Sequence, residues 1–229
     1  MIASVHIADV GARSALGVLR KAPKSTSVPG LRHANVATPA PLSSRLKKSP
    51  QFRRVALIAF WDDDAALDQF LAGHKLAQRL SGGWHVRLAP LRAHGSWPGL
   101  PEDTPRRRNV ELAGPAAVLT LGRFRLLRAP NFFRTSAKAE GAAVDAPGRI
   151  WGTAMAKPPF VATCSLWTST DALSAYAYGS AGHPHPDAIT ANQATPFHHQ
   201  SAFIRFRPYD SHGGLDGTNP LPEDWMTAA

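Results

Sequence analysis

Four histidines fall close together near the C-terminal end of this chain. The segment GHPHPDAI, residues 182–189, sets His183 and His185 two positions apart, and PFHHQ adds His198 and His199 shortly after. A neutral imidazole binds a metal through one ring nitrogen or exchanges a proton near neutral pH. After His185 the run Pro186-Asp187-Ala188-Ile189 has the composition of a first helical turn, which would set a ligating imidazole on an ordered element. Two other readings stand beside this one. His185 can be a surface histidine held between two prolines. The four histidines can also form a zinc or copper cluster, although few carboxylates and no thiolate accompany them.

The arginines are the second set. Arg123 and Arg125 end an apolar run in LGRFRLLR. Arg205 alternates with Phe203 and Arg207, so the three share one face of a strand. On a face that lines an interior pocket, Arg205 would be a cation aimed at a bound group; elsewhere it is a rim charge. Trp61 and Trp167 end two similar apolar runs and read as core at strand ends.

The elements that must position these residues come from a duplication. VALIAFWDDDAALDQF (Val55 to Phe70) aligns without gaps on VATCSLWTSTDALSAY (Val161 to Tyr176), 106 residues on. Each copy is a β-branched apolar run ending in tryptophan, then small capping residues, then an apolar face at helical spacing. VRLAPLRAHG (Val86 to Gly95) matches IRFRPYDSHG (Ile204 to Gly213) at an offset of 118. The second copy therefore carries 12 extra residues, and they fall in the histidine-bearing stretch. His94 and His212 are repeat-related, each before a glycine, which predicts a turn role.

Each half reads strand, helix, strand, strand, helix, strand. The first half has strands near residues 3–7, 31–38, 54–61 and 85–90 and helices near 13–20 and 63–80. The second has strands near 116–123, 149–156, 160–167 and 202–207 and helices near 125–143, 170–178 and 187–193. This is the ferredoxin-like βαββαβ unit twice. The expectation is an α+β fold of duplicated ferredoxin-like domains in a barrel-type arrangement, with a pocket between the sheets lined by the strand face carrying Phe203. Residues 1–95 form the first half, 96–113 a proline-rich linker and 114–229 the second half, with an inserted segment 179–200 and an irregular tail.

The 229 residues carry a net charge of +10, which favours anionic partners. Cys164 is the only cysteine, so one chain holds no disulfide and no thiolate metal cluster, as fits a reducing cytoplasm. No apolar run approaches the length of a membrane span, and the start has neither the basic nor the apolar region of a signal peptide.

On its motifs the chain resembles the spheroidene monooxygenase family, carotenoid ketolases. GGWHVRLAPLRAHGSWPG (Gly82 to Gly99) resembles a signature of that family. GPAAVLT with RFRLLR (Gly114 to Arg128) resembles its mid-chain segment, and the His-Pro-His stretch with Asp187-Ala188-Ile189 its C-terminal part. The resemblance implies a haem protein of the dimeric α+β barrel type, a homo-oligomer with haem b iron held in the second half. By position His185 is the axial ligand, with His183 as neighbour or substitute. Arg123 and Arg125 are then candidates for the two haem propionates, and Arg205 for stabilising iron-bound oxygen. The implied activity is hydroxylation or ketolation of a lipophilic substrate, with an electron donor such as ferredoxin and peripheral contact with a membrane. Two other classes compete. One is a cofactor-free monooxygenase or isomerase of the same fold, using the histidines as acid–base groups. The other is a non-enzymatic, basic nucleic-acid-binding protein, which ranks last because no RNA-binding aromatic pattern is present.

Overall fold

The computed structural model describes residues 1–42, 50–107, 112, 114–125, 141, 143–178 and 198–221. Its elements run β1 (Ile2–Asp9), α1 (Ala12–Arg20), β2 (Leu31–Pro41), β3 (Arg54–Trp61), α2 (Asp64–Gly73), α3 (Lys75–Leu80) and β4 (Trp84–Gly95). The second half follows with β5 (Ala116–Phe124), β6 (Arg149–Lys157), β7 (Phe160–Trp167), α4 (Thr170–Tyr178) and β8 (His198–His212). The helices expected near 125–143 and 187–193 fall largely or wholly outside the described residues.

The eight strands close into one barrel in the order β1-β3-β2-β6-β7-β5-β8-β4. Each half contributes four antiparallel strands in the same internal order: β4-β1-β3-β2, then β8-β5-β7-β6. Two seams join the halves. β2 meets β6 over a short register from Thr38 to Pro41, and β4 meets β8 along almost the whole length of both.

The repeat is repeated in local chemistry. Asp63 caps α2, its side chain accepting from the Ala66 N–H at 2.9 Å. Ser169, 106 positions later, accepts from the Ala172 N–H at 3.1 Å and opens α4. The first-half helix expected over 63–80 is two helices. His74 ends α2 and caps α3, its Nδ1 accepting from the Leu76 N–H at 3.1 Å. Gly95 and Gly213 both lie at positive φ, +86° and +72°, where β4 and β8 turn away. A Cβ there would stand 2.2 Å from the Ser201 carbonyl oxygen or 2.0 Å from that of Gly83. His94 and His212 thus precede turns that only glycine accommodates.

Strand alternation divides the apolar residues into an interior and an exterior layer. The interior holds Val5, Ile7, Ile58, Phe60, Trp84, Val86, Leu119, Leu121, Met155, Cys164, Leu166, Ile204 and Phe206 among others, drawn from both halves. This corrects the expectation of a pocket between the sheets. Among the described residues the space between them is packed core, because an eight-stranded barrel is just wide enough for side chains to fill. Phe203 alternates with the interior residues Ala202 and Ile204 and so faces outward. No helix among the described residues is long and apolar enough to cross a membrane.

Outside the first half, α1, α2 and α3 cover a second core of Val18, Leu31, Val36, Leu57, Trp61, Leu67, Phe70, Leu76 and Leu80. His6 is buried in this layer. Its Nε2 and the Ser4 hydroxyl are 3.0 Å apart, the Trp61 Nε1–H donates to the same hydroxyl, and its ring stacks on His85 at 5.1 Å. Burial, with the nearby His85 and Arg87 charges, pushes the His6 imidazole down from 6.5 to about 3. The folded chain then keeps His6 neutral where the unfolded chain protonates it. Its contribution to stability is whole above about pH 6.5 and declines as pH falls toward 3, by up to about 1.4 kcal/mol per pH unit. A His6→Gln variant should lose that part of the acid sensitivity in urea titrations across the window. A slope equal to wild type would contradict the assignment.

Candidate functional site

The β4–β8 seam places two matching clusters on the outer, helix-facing sides of the barrel. In the first half Arg87 is 2.7 Å from Asp64, 2.5 Å from Asp68 and 2.9 Å from Asp210. The Tyr209 hydroxyl donates to Asp64 at 2.8 Å. Burial opposes the Arg87 charge, but the Asp68 and Asp64 carboxylates outweigh it and push its pKa above the usual arginine range. The cluster is an ion network between sheet and α2, in which the buried Arg87 Nε faces Asp210 as an ion pair without a directed hydrogen bond.

The second half builds the same frame from different residues. Arg205, 7% exposed, donates to the Ser174 hydroxyl of α4 at 3.4 Å. Its cross-strand neighbour is Arg92, 8% exposed. Phe203 lies beside them, its ring 6.5 Å from that of His94.

The rest of this outer face differs from its first-half counterpart in size and cover. Ser4, His6, Leu57 and Ala59 are buried under helices. Their repeat equivalents Val118, Thr120, Thr163 and Ser165 are half-buried. They sit on neighbouring strands, with Thr120 opposite Thr163 and Val118 opposite Ser165, and Gly152 continues the row beside Ser165. The apolar cluster here among the described residues is Ala116, Trp167 and Leu173, with Tyr176 stacked on Trp167 at 4.9 Å. Among the described residues this face is one of small side chains edged by the buried Arg92 and Arg205.

The site residues expected from sequence are distributed as follows. His183 and His185 lie outside the described residues. Arg205 is on the outer face of the second sheet. Arg123 is on the opposite, interior-facing side, at the barrel mouth. Its guanidinium stacks over Trp97 at 5.1 Å and donates to Gln200 at 2.8 Å. Trp97 in turn donates to Asn35 at 3.1 Å. Arg125 is exposed just beyond the end of β5. The His198 ring lies on Gly122, where an added Cβ would stand 2.6 Å from its Cδ2. His199 lines an open cleft of about 590 Å³ with Arg106, Gln200 and Ser201. Among the described residues no three histidine, cysteine or acidic side chains converge as a metal site would require.

Sequence reading missed Arg92. The signal was present: in the repeat Arg92 aligns with Asp210, so one position carries opposite charge in the two copies.

No family model matches the chain. It is 30% identical over 174 residues to a spheroidene monooxygenase of Rubrivivax gelatinosus, covering 73% of this chain and 65% of that protein. It is 26% identical over 184 residues to a spheroidene monooxygenase of Cereibacter sphaeroides, covering 76% of this chain and 55% of that protein. The chain thus spans between about half and two thirds of the length of these curated relatives. The resemblance read from the motifs is borne out over about three quarters of the chain. Among solved structures, an aldoxime dehydratase superposes with a TM-score of 0.50 at 11% identity, over 95% of this chain and 82% of that one. That likeness concerns the fold.

Proposed function

We propose that this chain, a relative of the spheroidene monooxygenases, is a haem-dependent monooxygenase that hydroxylates or ketolates a lipophilic, carotenoid-like substrate. The observation that carries the reading is the sequence likeness to two proteins of that name. In this reading the site lies on the outer face of the second sheet, because the barrel interior among the described residues is packed core.

Haem b, when bound, supplies the activation of oxygen, with electrons from a donor such as ferredoxin. In this reading His185 holds the iron through Nε2, with Asp187 near in sequence as a candidate acceptor for its Nδ1–H. The small residues Thr120, Thr163 and Ser165 let a flat group approach the strands. Phe203 and Val118 give apolar surface on the same side for the substrate. A long hydrocarbon gains about 25 cal/mol for each Å² of apolar area withdrawn from water there, an advantage that a small polar acid lacks. At the substrate, oxygen insertion at one carbon gives an alcohol. A second insertion at that carbon gives a geminal diol, which loses water to leave a ketone. The net charge of +10 suits an acidic electron donor and a passing contact with anionic lipid, where such substrates reside.

The test is direct. Purified protein should give a Soret band and a positive pyridine haemochrome reaction. Supplied with electrons, labelled oxygen gas and an acyclic carotenoid, it should return a product carrying the label. Colourless protein that performs the same oxidation would remove haem from the reading. Coloured protein that ignores polyenes and oxidises small charged molecules would remove the lipophilic substrate.

A further inference from the structure

The net charge of +10 comes from one stretch of the chain. Residues 10–61 carry ten lysines and arginines and no aspartate or glutamate, while the remaining residues carry sixteen bases and sixteen acids and balance. Of the ten, Arg45, Lys47 and Lys48 lie outside the described residues. Arg32, Arg53 and Arg54 pair with Asp62, Asp9 and Asp216. Among the described residues no carboxylate pairs with Arg13, Arg20, Lys21 or Lys24, and all four are exposed.

The fold sets these four cations beside apolar side chains. α1 buries Ala15 and Val18 against the sheet. Arg13, Leu16 and Arg20, three and four positions apart, form the opposite stripe of that helix, and all three are exposed. Lys21 and Lys24 follow from its end. At its start the Val10 N–H donates to the Arg53 carbonyl at 3.0 Å, and the Arg53 side chain donates to Asp9 at 3.1 Å. These bonds bring Phe52 and Arg53 alongside the chain that enters α1. Leu16 is 53% exposed and Phe52 71% exposed, two of the three large apolar side chains exposed among the described residues.

A lone exposed apolar residue needs no explanation. Here two of them stand among cations. That mixture matches the boundary of an anionic bilayer, where cations lie at the headgroup phosphates and apolar side chains enter the edge of the acyl region. An acidic protein or a nucleic acid would engage the cations but give Leu16 and Phe52 no part.

We propose that the outer face of α1, from Phe52 and Arg53 across Arg13, Leu16 and Arg20 to Lys21 and Lys24, docks on a membrane surface rich in anionic lipid. The proposal rests on the lipid contact of the proposed function and gives it a place, while the docking itself needs no haem.

The experiment is sedimentation of the purified full chain with vesicles of phosphatidylcholine alone, and of phosphatidylcholine and phosphatidylglycerol in equal parts. Wild type should bind the anionic vesicles and not the neutral ones, more weakly as salt rises. Each basic residue beside an anionic membrane strengthens binding about fivefold, so Arg13→Gln, Arg20→Gln, Lys21→Gln and Lys24→Gln combined should weaken it roughly a hundredfold or more. A control of equal charge, Lys75→Gln, Arg79→Gln, Arg106→Gln and Arg107→Gln combined, removes four exposed cations from other parts of the surface. It should bind within roughly a factor of three of wild type, because charges beyond a Debye length from the membrane are screened. Leu16→Ser with Phe52→Ser should lose roughly tenfold. Circular dichroism checks that each variant folds. Equal binding of both kinds of vesicle by wild type would overturn the proposal. Equal losses in the two charge variants would also overturn it, by making the attraction a matter of net charge. Unchanged binding in Leu16→Ser with Phe52→Ser would overturn it in favour of an acidic protein or a nucleic acid as the partner of these cations. Coloured protein that ignores the vesicles would end this proposal and leave the haem reading standing. Colourless protein that binds them would end the haem reading and leave the docking face.

Discussion

Replacing His185 with alanine is expected to leave a folded barrel that holds little or no haem. The described core is built from strand residues of both halves and from α1 to α4, and His185 lies outside the described residues. In the proposed function, the imidazole is the bond from protein to iron. Its loss leaves the macrocycle held by packing and by its carboxylates. Haem content per chain should fall at least about tenfold, since even altering the groups behind a ligand costs that much in metal affinity. The thermal melt of haem-depleted protein should match that of haem-depleted wild type. Absorbance after a haemin titration and a melt of each form check both halves of this expectation. A variant with wild-type haem content and an unshifted Soret band would pass the ligand role to His183, or end the haem reading.

The architecture was legible because a duplicated sequence states each element twice. The apolar runs Arg54–Trp61 and Phe160–Trp167 both form strands at the expected positions. The capping positions Asp63 and Ser169 do the same work with different side chains. Less was legible where burial and tertiary closure decide. β8 extends from His198 to His212, well past the expected 202–207, because pairing with β5 runs back to His198 and pairing with β4 runs on to His212 through polar residues that carry no strand signal of their own. Alternation puts Phe203, Arg205 and Arg207 on one face but does not say which face. Closure of the barrel settles that, turning Ile204 and Phe206 inward and Arg205 outward. The partnership of Arg92 with Arg205 required both the repeat alignment and the strand register. A bulge lies between Pro90 and Arg92, so simple counting along β4 loses the register.

Trp84→Ala should be the most damaging single truncation in the barrel, and a position in the repeat would not reveal it, since its equivalent is Ala202. Trp84 is fully buried, its ring 5.0 Å from that of Trp151 on β6. Its Nε1–H donates to the Ser211 hydroxyl of β8 at 2.9 Å. Ser211 donates in turn to Asn219 at 2.8 Å, and the Leu221 N–H donates to the same Asn219 oxygen at 2.9 Å. One side chain therefore ties β4, β6, β8 and the chain after β8 together. Removing a buried tryptophan costs about 3–5 kcal/mol, against a total stability of roughly 5–15 kcal/mol for a domain. For a chain of this size that is a fall in Tm of about 10 °C. Trp84→Phe keeps most of the ring and loses the hydrogen bond, worth about 1 kcal/mol, so its melt should fall by a few degrees. Urea and thermal unfolding of the two variants beside wild type would measure the difference. If Trp84→Ala melts with wild type, this side chain does not hold the β4–β8 seam, and the backbone pairing of the two strands carries it alone.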